Sequence, residues 1–150
     1  MRYLQNKALA VSVLFGMAAC FPAFAVDTWT TYTHSNYITA IAIQGDSAWC
    51  ATRGGVVCWN TADSTYTKYT IQDGLGDNSV YCIATAPNGD IWCGTVGGIS
   101  RFDGSKWETH SFSSSWWCVE PIWAIAFESD GTVWCGANSA LQSFRKGKWA

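Results

Sequence analysis

Histidine is scarce in this chain: two in 150 residues, His34 and His110. One falls in a loop and the other late in its repeat, so neither is placed to serve as a general base. There is no Gly-x-Ser-x-Gly, no His-Glu-x-x-His and no Asp-rich calcium loop, and an enzyme is hard to build without them. The cysteines never fall as Cys-x-x-Cys or beside a histidine, which leaves a zinc site unsupported. Basic clusters are missing as well. Nine Lys and Arg stand against eleven Asp and Glu, a formal charge of −2, and no run of cations could neutralise successive phosphates. Nucleic acid is excluded as a partner. Beyond residue 25 no apolar run reaches membrane-spanning length, and helical periodicity stops at the same place.

Residues 1–25 read as a secretory signal peptide. Arg2 and Lys7 supply the positive start, and residues 8–20 form an apolar stretch too short to span a bilayer stably. Pro22 breaks it, and Ala23-Phe24-Ala25 offers small residues at the cleavage positions. In a competing reading Met17-Ala18-Ala19-Cys20 is a lipobox that lipidates Cys20, but methionine is a poor first residue there. Removing the leader takes away Arg2 and Lys7 and no acidic residue, so the formal charge moves from −2 to −4. An exported protein, periplasmic or extracellular, is the expectation.

What the chain has in abundance is a repeat. Trp49-Cys50, Trp92-Cys93 and Trp134-Cys135 are three copies of one dipeptide, spaced by 43 and then 42 residues. Aspartate with a small or polar neighbour precedes each copy: Gly45-Asp46-Ser47, Asn88-Gly89-Asp90 and Ser129-Asp130-Gly131. A tight connection and an apolar run follow each, at Val56-Val57-Cys58-Trp59, Ile99-Ser100-Arg101-Phe102 and Leu141-Gln142-Ser143-Phe144. An aromatic opens the last segment, at Tyr66, Trp107 and Trp149. Asn-Gly and Asp-Gly between short Ile-, Val-, Thr-, Tyr- and Trp-rich runs are hairpin signals, because those turn residues reach positive φ cheaply.

Four strands in about 42 residues make one blade of a β-propeller. In the second copy they are expected near 79–85, 91–95, 99–102 and 107–112. The fold class is all-β, with about three four-stranded blades and repeats at about 29–70, 71–112 and 113–150. Residues 29–33 resemble 66–70 and read as an orphan outer strand. Three blades cannot close a ring, so the expectation is the front part of a larger propeller, or a second chain completing it.

Within residues 66–107 the likeness becomes specific. Asp73-Gly74-Leu75, Asn78-Ser79-Val80, Asp90-Ile91-Trp92-Cys93-Gly94-Thr95, Gly97-Gly98-Ile99-Ser100-Arg101-Phe102-Asp103 and Trp107 resemble the two-component-regulator propeller repeat. Cysteine where that family prefers Ile or Val is the main departure. The third copy has Asn138-Ser139-Ala140 in place of the Gly-Gly turn, and the first has Ala51 for the glycine. Virginiamycin-lyase-like propellers share a similar strand but fit the Gly-Gly run less well. The resemblance implies a sensing ectodomain of an envelope two-component system. A freestanding exported glycan- or protein-binding scaffold and, distantly, a lyase-like propeller enzyme are the other classes.

The longest irregular segments, 71–78 and 113–120, share a face with the Gly-Gly turns, where propeller loops converge. Trp116 and Trp117 stand there outside the strand pattern, as a stacking platform for a sugar or peptide or as a hydrophobic plug. Asp73, Asp77, Asn78 and Glu120 would add polar groups, and Arg53 a cation on a Gly-Gly turn. Turn capping and solvation are the alternative roles of Asp73 and Asp77. No catalytic residue, metal or cofactor is expected. Trp49, Trp92 and Trp134 are expected as core, with Cys50, Cys93 and Cys135 as small buried hydrophobes between blades. Cys50 and Cys58 flank Arg53-Gly54-Gly55. A three-residue loop would set them opposite each other at bridging distance, and a two-residue loop would set Cys50 opposite Trp59.

Overall fold

Each Trp-Cys strand lies second in a sheet of four, because the turns on either side are short enough to fold its neighbours back antiparallel. The computed structural model describes residues 37–96, 98–111 and 120–150. In the first sheet β1 (Ile38–Gln44), β2 (Ser47–Thr52), β3 (Gly55–Asn60) and β4 (Tyr66–Tyr69) follow in chain order. The second holds β5 (Cys82–Thr85), β6 (Ile91–Thr95), β7 (Gly98–Phe102) and β8 (Trp107–Ser111). The third holds β9 (Ala124–Phe127), β10 (Val133–Gly136), β11 (Leu141–Arg145) and β12 (Lys148–Trp149). These are three antiparallel propeller blades. The leader at 1–25 and the strand expected at 29–33 lie outside the described residues.

Three strands of the second blade fall within one residue of their expected bounds. The first begins at Cys82 rather than 79, because the backbone before it is bound elsewhere. Val80 N–H donates to the Thr52 carbonyl of the preceding blade at 2.9 Å. The next copy repeats this: Ile122 N–H donates to the Thr95 carbonyl at 3.2 Å. Both side chains are fully buried. Blades two and three are thus each pinned to the one before by a backbone bond and an apolar plug.

The alternation along the central strands sorts their side chains between neighbouring blades. Trp49 and Cys93 belong to the core between blades one and two, Trp92 and Cys135 to the core between blades two and three. A layer therefore takes its tryptophan from the earlier blade and its cysteine from the later one. The second glycine of the Gly-Gly turn is required by the outer strand. A Cβ at Gly55 would lie 2.1 Å from the Tyr69 carbonyl oxygen, and one at Gly98 2.6 Å from that of His110. The short β12 ends at Trp149, and the third copy carries Ala140 at this turn.

The β2–β3 loop has two residues, as the second alternative had it and without a bridge, but Cys50 faces neither Cys58 nor Trp59. The turn is Arg53-Gly54, Thr52 faces Gly55 and Cys50 faces Val57. Cys58 pairs with Trp49 and so points through the opposite face of the sheet, which forbids a bridge. All five described cysteines are free thiols. Burial raises Cys82 to about 11 and Cys135 to about 12. At pH 8 in the folded chain, iodoacetamide should therefore modify the half-buried Cys58 before Cys82 or Cys135, as read by peptide mass spectrometry. Equal labelling of all three would show that the layers open on the alkylation timescale.

Candidate functional site

The loop ahead of β5 is built from its own polar side chains. Thr70 caps a 3-10 turn at Ile71–Asp73: its hydroxyl accepts from Gln72 N–H at 3.3 Å, and its own N–H donates to the Asp73 carboxylate at 2.8 Å. Gly74 ends the turn at φ 105°, a conformation glycine tolerates without cost. Asp77 accepts from Ser79 N–H at 2.6 Å, and the Asn78 side-chain oxygen from Ile71 N–H at 3.0 Å. The Asn78 carbonyl also accepts from Gly55 N–H at 2.7 Å, tying the loop to the turn that carries Arg53. Arg53 itself lies over the Tyr37 ring, 4.8 Å from its centroid.

Asp73, Asp77 and Asn78 therefore share one loop, joined to the β2–β3 turn beside Arg53. Glu120 belongs to the corresponding loop one blade later. Its carboxylate accepts from Ser139 N–H at 3.1 Å and from the Ser139 hydroxyl at 3.0 Å, bracing the β10–β11 turn. Trp116 and Trp117 lie outside the described residues. The sequence reading missed Trp123, which stays 50% exposed just before β9. Its indole N–H donates to Asn138 at 2.8 Å, and its ring meets Tyr81 edge-on at 4.9 Å. Its place in the repeat is the only signal that could have found it: Tyr81 and Trp123 both donate their N–H to the last glycine of the central strand, Gly94 and Gly136.

A second feature was not legible at all. Between blades two and three, near the β5–β6 and β9–β10 turns, a cleft of about 640 Å³ opens. Trp92, Phe127, Val133 and Phe144 floor it, while Arg101, Glu108 and His110 line one wall and Arg145 and Lys146 the other. Arg101 donates to Asp90 at 2.7 Å and lies over Trp92, 5.9 Å from the ring centroid. His110 lies in the outer strand β8. There it stacks on Trp92 at 6.2 Å and meets the Phe144 ring at a tilt, 4.5 Å away. Among the described residues no three His, Cys, Asp or Glu side chains gather as a metal site. Nor is any described helix long and apolar enough to cross a membrane.

The extracellular domain assigned to a one component system of B. thetaiotaomicron is similar at TM-score 0.72 and 18% identity, over 81% of this chain and 18% of that one. The extracellular domain assigned to a hybrid two component system of the same organism is similar at TM-score 0.58 and 25% identity, over 75% of this chain and 16% of that one. Virginiamycin B lyase from Staphylococcus aureus is similar at TM-score 0.63 and 16% identity, over 76% of this chain and 40% of that one. The chain thus spans less than a fifth of the two ectodomains, and the likeness is one of fold. No curated protein matches the sequence. Residues 74–97, from the loop before β5 to the turn after β6, match the family model described as two component regulator propeller. Within the blade fold, that one segment is a match to the two component regulator propeller repeat.

Proposed function

We propose that this chain is a non-catalytic binding module, exported by a leader at residues 1–25 and forming the front part of an envelope sensor ectodomain. The observation that carries the reading is the family match at residues 74–97, which falls on the loop and strand that build the loop face. The ligand surface is that face, with Trp116 and Trp117 at its centre and Asp73, Asp77, Asn78, Glu120 and Arg53 as its polar groups. The ligand is a small glycan or peptide, or a protein partner. Further blades, or a second chain, complete the ring. The exposed ring of Trp123 supports an aromatic platform, since a flat apolar surface stacks at low entropic cost. The likeness to a lyase favours no enzyme here: at 16% identity it concerns the fold.

The test is a panel of oligosaccharides and peptides titrated against the full-length propeller. Trp116→Ala and Trp117→Ala are each expected to weaken binding by about 1–3 kcal/mol with an unchanged melting temperature. A lower melting temperature with unchanged affinity would make the pair a packing plug and move the site elsewhere.

A further inference from the structure

The two inter-blade layers are built on one plan, and the cleft lies where the second departs from it. In the first layer Trp49, Tyr69, Phe102 and Trp107 form an aromatic cluster with ring centroids 5.1–6.4 Å apart. In the second the same positions hold Trp92, His110, Phe144 and Trp149. Strand register establishes the correspondence: Tyr69 pairs with Val56 and His110 with Ile99, each one residue past the second glycine of its turn. A histidine therefore stands where the first layer has a tyrosine, and it is the smaller ring.

A second substitution opens the same edge. In the first layer the Gln44 amide reaches across and donates to the Gly89 carbonyl of the next blade, closing the gap between hairpin turns. The residue at that register position in the second blade is Ala86. It bonds to Asp90 across its hairpin as Gln44 faces Ser47, and its methyl cannot span the gap. With the crosslink gone and the ring reduced, the edge of the layer opens into the cleft, where half-buried Phe127 lies over the buried Trp92, Val133 and Phe144.

The charges on the walls say what fits. Asp90 and Arg101 neutralise each other at 2.7 Å, Arg145 pairs with Asp130 at 3.1 Å, and Glu128 accepts from the Trp134 indole at 2.7 Å. Two groups are left over. Glu108, on the blade-two wall, has a 55% exposed side chain with His110 at 3.9 Å, and Arg101, its partner across the β7–β8 pair, is already engaged by Asp90. Lys146, on the blade-three wall, has no ion pair among the described residues and is held at φ 50° in the β11–β12 turn. An anion and a cation thus face an apolar floor from opposite sides. We propose that this cleft binds a short peptide with free termini, its ammonium toward Glu108, its carboxylate toward Lys146 and an apolar side chain over Phe127, Val133 and Phe144. The volume is within the range of small-molecule sites, and each terminal contact is a charge-assisted hydrogen bond.

The experiment is isothermal titration of the full chain with trileucine, with N-acetyl-trileucine amide and with maltotriose. Trileucine should bind, the blocked form should bind at least tenfold more weakly, and maltotriose should not bind at this site. Glu108→Gln and Lys146→Gln should each weaken trileucine about tenfold and leave the blocked form unchanged. The double variant Ala86→Gln/His110→Tyr rebuilds the second layer on the pattern of the first. It should abolish trileucine binding while its urea midpoint stays at or above that of the parent, which separates a closed site from an unfolded one. No trileucine binding by the parent chain, or binding indifferent to the double variant, would overturn the proposal. So would maltotriose binding that the double variant removes.

Discussion

Trp49→Ala is expected to cost the full chain about 3–5 kcal/mol, read from its urea unfolding midpoint. Trp49 is 5% exposed, and its ring meets Phe102 at 5.4 Å, Tyr69 at 5.9 Å and Trp107 at 6.4 Å. Truncation removes the centre of a cluster drawn from both blades, and the three remaining rings cannot collapse into the space. The indole N–H finds no acceptor among the described residues. Trp49→Phe should therefore cost much less, since it keeps most of the apolar contact and removes an unmade hydrogen bond. Equal losses for the two variants would mean that the indole N–H is bonded after all. A loss from Trp49→Ala below about 1 kcal/mol would place the residue outside a packed layer.

Ile122→Ala should cost about 2–5 kcal/mol in the same measurement, and Ile122→Val only about 0.5–1.5 kcal/mol. The side chain is fully buried, and the backbone around it is held at two points. Its N–H donates to the Thr95 carbonyl at 3.2 Å, and its carbonyl accepts from the Cys82 thiol at 3.3 Å. The opposing surface is Gly94, where an added Cβ would lie 2.7 Å from that of Ile122. Such close contact leaves the site little freedom to close around a cavity, which puts the loss toward the upper part of the range. If Ile122→Ala behaves like Ile122→Val, the loop before β9 relaxes and the plug does not pin blade three.

Why Gly94 must be glycine could not be read from the chain, although its place in the repeat could. The first copy has Ala51 at that position and tolerates it, so the pattern alone offers no rule. The reason is a contact between residues 28 positions apart, set by how the loop before β9 crosses back over the second blade. Local chemistry, by contrast, was legible. Asp103 in the Asp-Gly turn accepts from Ser105 and Lys106 N–H at 2.9 Å each, which holds its carboxyl down to about 2, as expected of a turn built by its own side chain.

The division follows from the range of the forces involved. Period, strand order and the alternation of Trp49, Trp92 and Trp134 with their cysteines depend on turn preference and on the two-residue repeat of a strand, both of which act over a few residues. The sequence alone determined them, and with them the blade fold. Register across the Arg53-Gly54 turn differed by one residue from the loop that would have paired Cys50 with Cys58, and a shift of one reverses the face of every side chain. Only the folded sheet could decide it. The cleft depended on the tertiary structure still more fully. His110 and Ala86 are unremarkable in the chain, and they matter because blade packing sets them at one edge, opposite Lys146, where the first layer has Tyr69 and Gln44 to close the gap.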